Sequence, residues 1–342
     1  MAMGTWTAFV EEHVRDLQRP ATLLYWPYVV SAAVLTLLFL RKSLGMTFRE
    51  GLRVVGSPRT WLARSTRTDV VMTLVHEMFV AGPTFALSTC VSNNLFGAVR
   101  GQLAPAVAAG VGWAPPILIQ SILMTAAVTL AVDLGTFVAH RLHHAVPVLW
   151  EMHAVHHSAD RLTFFTAHRV HPLEALLRGA IQGVLTALVM VAFSCVFGRV
   201  APMLTVWGMG VGFLAFSFTN NLLHSPVPVR YPRWLRRFVL SPHIHHLHHS
   251  RLSAHQDRNF GAIFPYWDRL CGTYLDREVG LGELTFGLDP AKDLFRHSLL
   301  RCYLMPLFVP VERATRVLCS AVGRWRRASL PLVRQVPPQK AE

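Results

Sequence analysis

Five stretches of this chain are apolar for nearly the length that a bilayer demands, and this constrains the fold more than any other feature. A helix needs about 20 predominantly apolar residues to cross the hydrocarbon core. Leu23 to Leu40, Val70 to Val91, Ile117 to Ala139, Gly179 to Phe197 and Met203 to Leu223 reach or approach that length. The second is interrupted by His76, Glu77 and Pro83. Ala104 to Pro116 is apolar but short and broken by proline, and reads as a re-entrant or interfacial piece. Composition agrees: 52% of the 342 residues are hydrophobic and only 15% charged, against roughly 25% charged in soluble domains. The expected fold is all-α, a polytopic transmembrane helical bundle of about four to five spans.

The loop charges orient these spans. Arg41, Lys42, Arg49, Arg53, Arg59, Arg64 and Arg67 follow the first, and only Arg100 separates the second from the third. Arg141, Arg161, Arg169 and Arg178 follow the third, Arg199 alone separates the fourth from the fifth, and Arg230, Arg233, Arg236 and Arg237 come after. The alternation predicts an integral, multi-pass membrane protein with two hairpins whose open ends face the cytoplasm beneath a helical cap. We divide the chain into an N-terminal membrane region (1–115), a catalytic region (116–290) and a C-terminal interfacial segment (291–342), with a disordered tail from Pro331 to Glu342. The net charge of +14 then suits an anionic membrane face rather than nucleic acid, since no zinc-finger, RNP or basic-helix pattern is present. The five cysteines form no CxxC pair, so neither a disulfide framework nor a zinc ribbon is expected. Glu11, Glu12 and Asp16 precede any apolar run, which is unlike a secretory signal.

Fifteen of the 18 histidines lie between His140 and His255, nearly all at the expected cytoplasmic span ends. His140 and His144 are four apart, one above the other on a helix face. His153, His156 and His157 form an H-x-x-H-H triad, as do His245, His248 and His249; on a helix, all three members can converge on one side. Asn220 and His224 are again four apart. Nine imidazoles are too many for one ion, because a structural zinc takes four ligands. They suit two ions. Imidazole binds zinc, copper, iron and nickel, and spacing does not choose among them. Isolated His13, His76 and His297 read as ordinary surface or core residues, although His76, inside a span, is the least ordinary of these. A membrane metal transporter would instead want ionisable groups at mid-membrane, and a metalloprotease would want HExxH, which does not occur.

These residues carry a family resemblance. "DLGTFVAHRLHH", "LWEMHAVHHS", "RVHPLE", "SPHIHHLHHS", "DRNFG" and "WDRLCGTY" together resemble the sterol desaturase and fatty acid hydroxylase superfamily of membrane di-iron enzymes, over about Asp133 to Tyr274. The resemblance implies two iron ions, O2 as co-substrate, a membrane lipid substrate that is hydroxylated or desaturated, and electrons from an external protein of ferredoxin or cytochrome b5 type. It puts His140, His144, His153, His156, His157, His224, His245, His248 and His249 in the ligand places. Asn220 departs from the pattern, since many relatives have histidine there, and we expect it to act beside one iron. Ligating imidazoles donate their second N–H to a carboxylate or carbonyl. Asp133, seven residues before His140 on the same helix face, is the first candidate acceptor, with Glu174, Asp257 and Asp268 behind it. His171 is a further possible ligand. His243 and His246 lie off the triad's face and are expected beyond the ligands or facing solvent.

Overall fold

A computed structural model of the chain describes residues 26–103, 114–206, 209–280, 282–291 and 293–310. His13, most of Ala104 to Pro116 and the tail from Pro331 lie outside the described residues. The described chain is predominantly helical. Its helices are α1 (Trp26–Leu44), α2 (Phe48–Val55), α3 (Pro58–Trp61), α4 (Arg64–Phe79), α5 (Ala81–Gln102), α6 (Ile117–Ala145), α7 (Pro147–His157), α8 (Pro172–Phe197), α9 (Val211–Leu223), α10 (Pro242–His249), α11 (Tyr266–Leu270) and α12 (Leu299–Pro310). One short antiparallel pair, β1 (Thr205–Val206) with β2 (Met209–Gly210), precedes α9.

Among the described residues, α6 and α8 are long and apolar enough to cross a membrane, and the pair α4 and α5 makes a third if its 46° bend is one broken span. The bend has a local cause. Pro83 has no N–H to offer the Phe79 carbonyl one turn back, so the helix breaks there. This is fewer than the four to five spans expected. The fifth apolar stretch is not one helix: its first residues form the β1–β2 pair, leaving α9 with 13 residues, about 20 Å of helix. The first stretch folds as 19 helical residues whose last turn holds Arg41 and Lys42.

Packing is centred on α8, which lies against both α5 and α6. Gly179 and Gly183, one turn apart, make the α5 contact possible. A Cβ on Gly183 would sit 2.5 Å from the Ser88 carbonyl oxygen, and one on Gly179 2.9 Å from that of Thr84. Small residues at this spacing let membrane helices approach closely. The outward faces of α6 and α8 carry exposed Leu118, Ile122, Leu123, Val184 and Leu188, as a lipid-facing surface requires. At one end of this bundle, where α6 ends, α8 begins and α9 ends, α7, α10, α11 and their loops form a cap. Buried Phe295 and Cys302 pack with Met72, Ala154 and Val155, joining the C-terminal region to α4 and α7.

Candidate metal centre

The 29 residues of α6 exceed what a span needs, and its last turns carry His140 and His144 into the cap. Val146 then adopts an extended conformation and Pro147 opens α7; proline at a first helical position forfeits no hydrogen bond. The same device, Pro242 after extended Ser241, starts α10. All eight residues of α10 are buried, so its histidines cannot be a solvent-facing tract. His224 ends α9 and turns into the same interior.

The structure brings all nine sequence-expected histidines together, in two groups. His140, His144, His153, His157 and His248 form one; His156, His224, His245 and His249 form the other. Within each group, one nitrogen from every residue lies within 4.8 Å of the rest. The triads do not converge on one side, as their spacing alone suggested; each is shared. Successive helical residues are rotated by about 100°, so positions i and i+4 point together while i+3 points aside. Hence α7 sends His153 and His157 to the first group and His156 to the second. From α10, His245 and His249 enter the second group and His248 the first.

In the first group the outer nitrogens are held by the protein. His140 Nδ1 lies 2.8 Å from the Phe260 carbonyl oxygen, His248 Nδ1 2.7 Å from that of Arg258, His153 Nδ1 2.7 Å from Glu174 Oε1, and His144 Nδ1 3.2 Å from Asp257 Oδ1. All four partners are acceptors, so each Nδ1 carries the proton and each Nε2 is a lone pair. Those four Nε2 atoms and that of His157 are buried with no protein partner. In the second group His224 Nδ1 donates to the Asn220 carbonyl oxygen at 3.0 Å. Its Nε2 lies 3.3 Å from His156 Nε2 and 2.9 Å from His245 Nε2, which is 3.1 Å from His249 Nε2. Nitrogens bound to one ion at about 2.0–2.1 Å fall about 2.9–3.4 Å apart. Burial first, and neighbouring imidazoles second, hold His153, His156, His157 and His249 well below the usual imidazole range. They are neutral, the form that ligates metal. Converging, unpartnered lone pairs in a dry interior are costly without a cation between them, and the donor set fits two metal ions.

Glu174 and Asp257 meet imidazoles as expected, whereas Asp133 does not. Its carboxylate accepts from the backbone N–H groups of Ile263 and Phe264 and from Trp267 Nε1, at 2.8, 3.3 and 2.8 Å. It therefore anchors the loop whose Phe260 carbonyl receives His140. Asp268 braces the same loop through the N–H groups of Phe260 and Gly261 and the Thr273 hydroxyl. His171 caps α8, accepting from Leu173 N–H and bonding the Tyr303 carbonyl oxygen, which leaves neither nitrogen for a metal. His243 and His246 do not face solvent: both are buried, bonding the carbonyl oxygens of Arg277 and Ser225. His76 is buried beside the His168 ring, 5.6 Å between centroids, and His297 lies 3.4 Å from Asp160.

A cavity runs beside both groups, lined by His140, His153, His156, His224 and His245 with Thr136, Phe216, Leu223 and Ala262. Asn220 lines it too, and its side-chain amide bonds no described residue. Two arginines taken from the sequence as loop charges belong to the interior. Arg169 is fully buried, bonding the Val155 carbonyl oxygen, Ser158 Oγ and Asp69 Oδ1 at 2.8, 2.7 and 2.8 Å. It thereby pins the end of α7 that carries three of the nine histidines. Lone Asp69 at the head of an apolar stretch was the signal that a buried cation faces it. Arg178 lies within α8 and lines the cavity.

Long apolar helices with two histidine groups at one end form a scaffold suited to holding metal. Residues 125–273 match the model of the fatty acid hydroxylase family, and over this region the chain is similar to the sterol desaturase and fatty acid hydroxylase superfamily. The chain is 30% identical over 142 residues to the ornithine lipid hydroxylase OlsE of Rhizobium tropici, covering 42% of this chain and 39% of that one. It is 26% identical over 175 residues to the alkylglycerol monooxygenase of Homo sapiens, 49% and 35% of the two chains. With a delta(7)-sterol 5(6)-desaturase of Aspergillus fumigatus it shares 28% over 182 residues, 51% and 53%. The chain thus spans between about a third and about half of the length of these relatives. No solved structure matches it.

Proposed function

We propose that this protein is an O2-dependent di-iron oxidoreductase of the membrane that hydroxylates a lipid. The observation that carries the reading is the pair of adjacent imidazole groups: in the first the inward nitrogens have no protein partner, and in the second they meet one another at 2.9–3.3 Å. His140, His144, His153, His157 and His248 would hold one iron, and His156, His224, His245 and His249 the other. Two bound ferrous ions supply the reducing centre for O2 that attack on an unactivated C–H bond requires, which side chains cannot supply. The protein's own contribution is positioning. Phe260, Arg258, Glu174 and Asp257 fix the tautomers and ring planes of four imidazoles, and Asp133 and Asp268 fix the loop that includes Phe260. The apolar wall of Phe216, Leu223 and Ala262 excludes water beside the metals and receives the substrate's chain. Asn220 presents an amide donor and acceptor on the same side, suited to orienting a small polar molecule there. The relatives act, by their names, on ornithine lipid, alkylglycerol and sterol, so an amphiphile is the reading for this chain too, and removal of two hydrogens is the variant the desaturase relative favours. Electrons would come from a separate ferredoxin or cytochrome b5 type protein, with the metal centre on the cytoplasmic face.

The test is metal analysis of the purified protein together with lipid mass spectrometry of cells with and without it. We expect two irons per chain and a lipid species heavier by one oxygen. A chain that binds no more than trace metal, or an unchanged lipid profile, would sink the reading.

A further inference from the structure

Arg178 behaves unlike Arg169, the buried arginine of this site. Arg169 has Nε, NH1 and NH2 all bonded to protein oxygens, as a guanidinium with a structural task should. Arg178 makes no hydrogen bond to any described residue; the Glu174 carboxylate one turn earlier acts on its charge, and it lines the cavity alongside His140, His143, His153 and His156. It sits six residues after Pro172 in α8, about 9 Å along the helix axis, within a helix long and apolar enough to span. An ionisable side chain at such a position marks a substrate or ion site by default.

A second observation points to the same place. Glu174, one turn earlier, is buried, with 6% of its surface exposed. Its Oε1 is bonded to His153, but its Oε2 is buried with no partner, and Glu174 lines the same cavity. His143, 1% exposed and also at the cavity wall, leaves Nε2 without a partner. Cation, acceptor and imidazole nitrogen therefore line one space that also has apolar walls at Phe216, Leu223 and Ala262. Charge adds to this. The nine metal-facing imidazoles are neutral donors, so two divalent ions there would retain most of their charge, and Arg178 adds another positive group. Glu174 and Asp257 are the carboxylates in contact with the imidazoles.

We propose that Arg178 is a specificity-determining residue that binds the anionic head, carboxylate or phosphate, of an amphiphilic substrate, with Glu174 Oε2 accepting from a hydroxyl or ammonium donor on the same head. This rests on the oxidoreductase reading above and gives it a substrate class: the bond attacked lies near a charged head, not deep in an uncharged acyl chain. A guanidinium is suited to the task because its planar fork meets both oxygens of a carboxylate or phosphate at once.

The test is calorimetric titration of the full-length, metal-loaded protein in non-ionic detergent with laurate, monododecyl phosphate and dodecanol, and with inorganic phosphate. The wild type should bind laurate or dodecyl phosphate at least tenfold more tightly than dodecanol. Arg178→Met should bring them within about twofold of dodecanol without changing dodecanol binding, and Arg178→Lys should recover part of the preference. Should the Met variant fail to fold, Arg178→Gln and the wild-type comparison carry the test. The proposal is overturned if the wild type shows no preference, if the Met or Gln variant keeps it, or if inorganic phosphate binds as tightly as dodecyl phosphate, which would make this a small-anion site. Metal content measured on the same samples separates the two readings. Anion preference in a chain that holds no iron would sink the di-iron reading alone; two irons without a preference would sink this one alone.

Discussion

At the residue scale, the two imidazole groups assign different consequences to neighbouring histidines. His156 and His248 both belong to H-x-x-H-H triads, but they face opposite groups. His156→Ala should lower the occupancy of the four-histidine site and leave most of the other, whereas His248→Ala should do the reverse; metal stoichiometry with spectroscopy that distinguishes the two ions reads this out. Loss of one orienting partner typically costs about 10–100-fold in metal affinity, and loss of a ligand at least as much. Asn220→Ala should behave differently from either. Its backbone oxygen, which receives His224 Nδ1, survives the substitution, so iron content should stay within about twofold of wild type while turnover falls at least tenfold. Unchanged iron and unchanged turnover would remove Asn220 from the reaction.

At the element scale, α7 is held by burial of its histidine-bearing face and by Arg169 at its end. The Arg169–Asp69 pair is fully buried, and removing one partner of such a pair strands the other charge. Arg169→Met should therefore cost about 3–5 kcal/mol of stability and release metal from both groups, since α7 feeds both. The double variant with Asp69→Leu should recover much of the loss, because two apolar groups of similar volume need no compensation. Thermal unfolding of the single and double variants decides the matter: a double variant no more stable than Arg169→Met would mean that the guanidinium acts through Val155 and Ser158 rather than through the charge. The helix contact at Gly179 and Gly183 is the other element-level constraint, where any side chain would collide with the α5 backbone.

At the scale of the whole molecule, many imidazoles are buried together, which ties stability to pH. Burial lowers the values of His153, His156, His157, His245, His248 and His249 from 6.5. Below pH 6.5 the unfolded chain therefore binds protons that the folded chain refuses, so stability rises with pH in that range and falls on acidification. The metal-free protein should lose thermal stability steadily from about pH 6.5 to 5. The metal-loaded protein should start higher and also fall, because protons compete with the ions for the same nitrogens. A melting temperature independent of pH across this window in the metal-free protein would show that these imidazoles are hydrated, not buried.

What the sequence determined by itself was local. Apolar length marked α6 and α8 as spans, and spacings of three and four named the nine histidines that share helix faces, because helical periodicity is set by covalent geometry and needs no distant partner. The same reasoning expected four to five spans, where the described residues hold two helices long enough, or three with the bent pair: the residues before α9 pair as a short hairpin, and the run through His76 bends where Pro83 lacks its N–H. Only the tertiary structure decided how the nine divide into five and four, since that depends on where α7 and α10 lie between α6 and α9. It also moved Asp133 from a histidine partner to the anchor of the Phe260 loop, and turned Arg169 and Arg178 from loop charges into interior groups. These assignments rest on contacts between residues up to 134 positions apart. No spacing along one helix encodes such contacts, because they are set by the packing of whole elements.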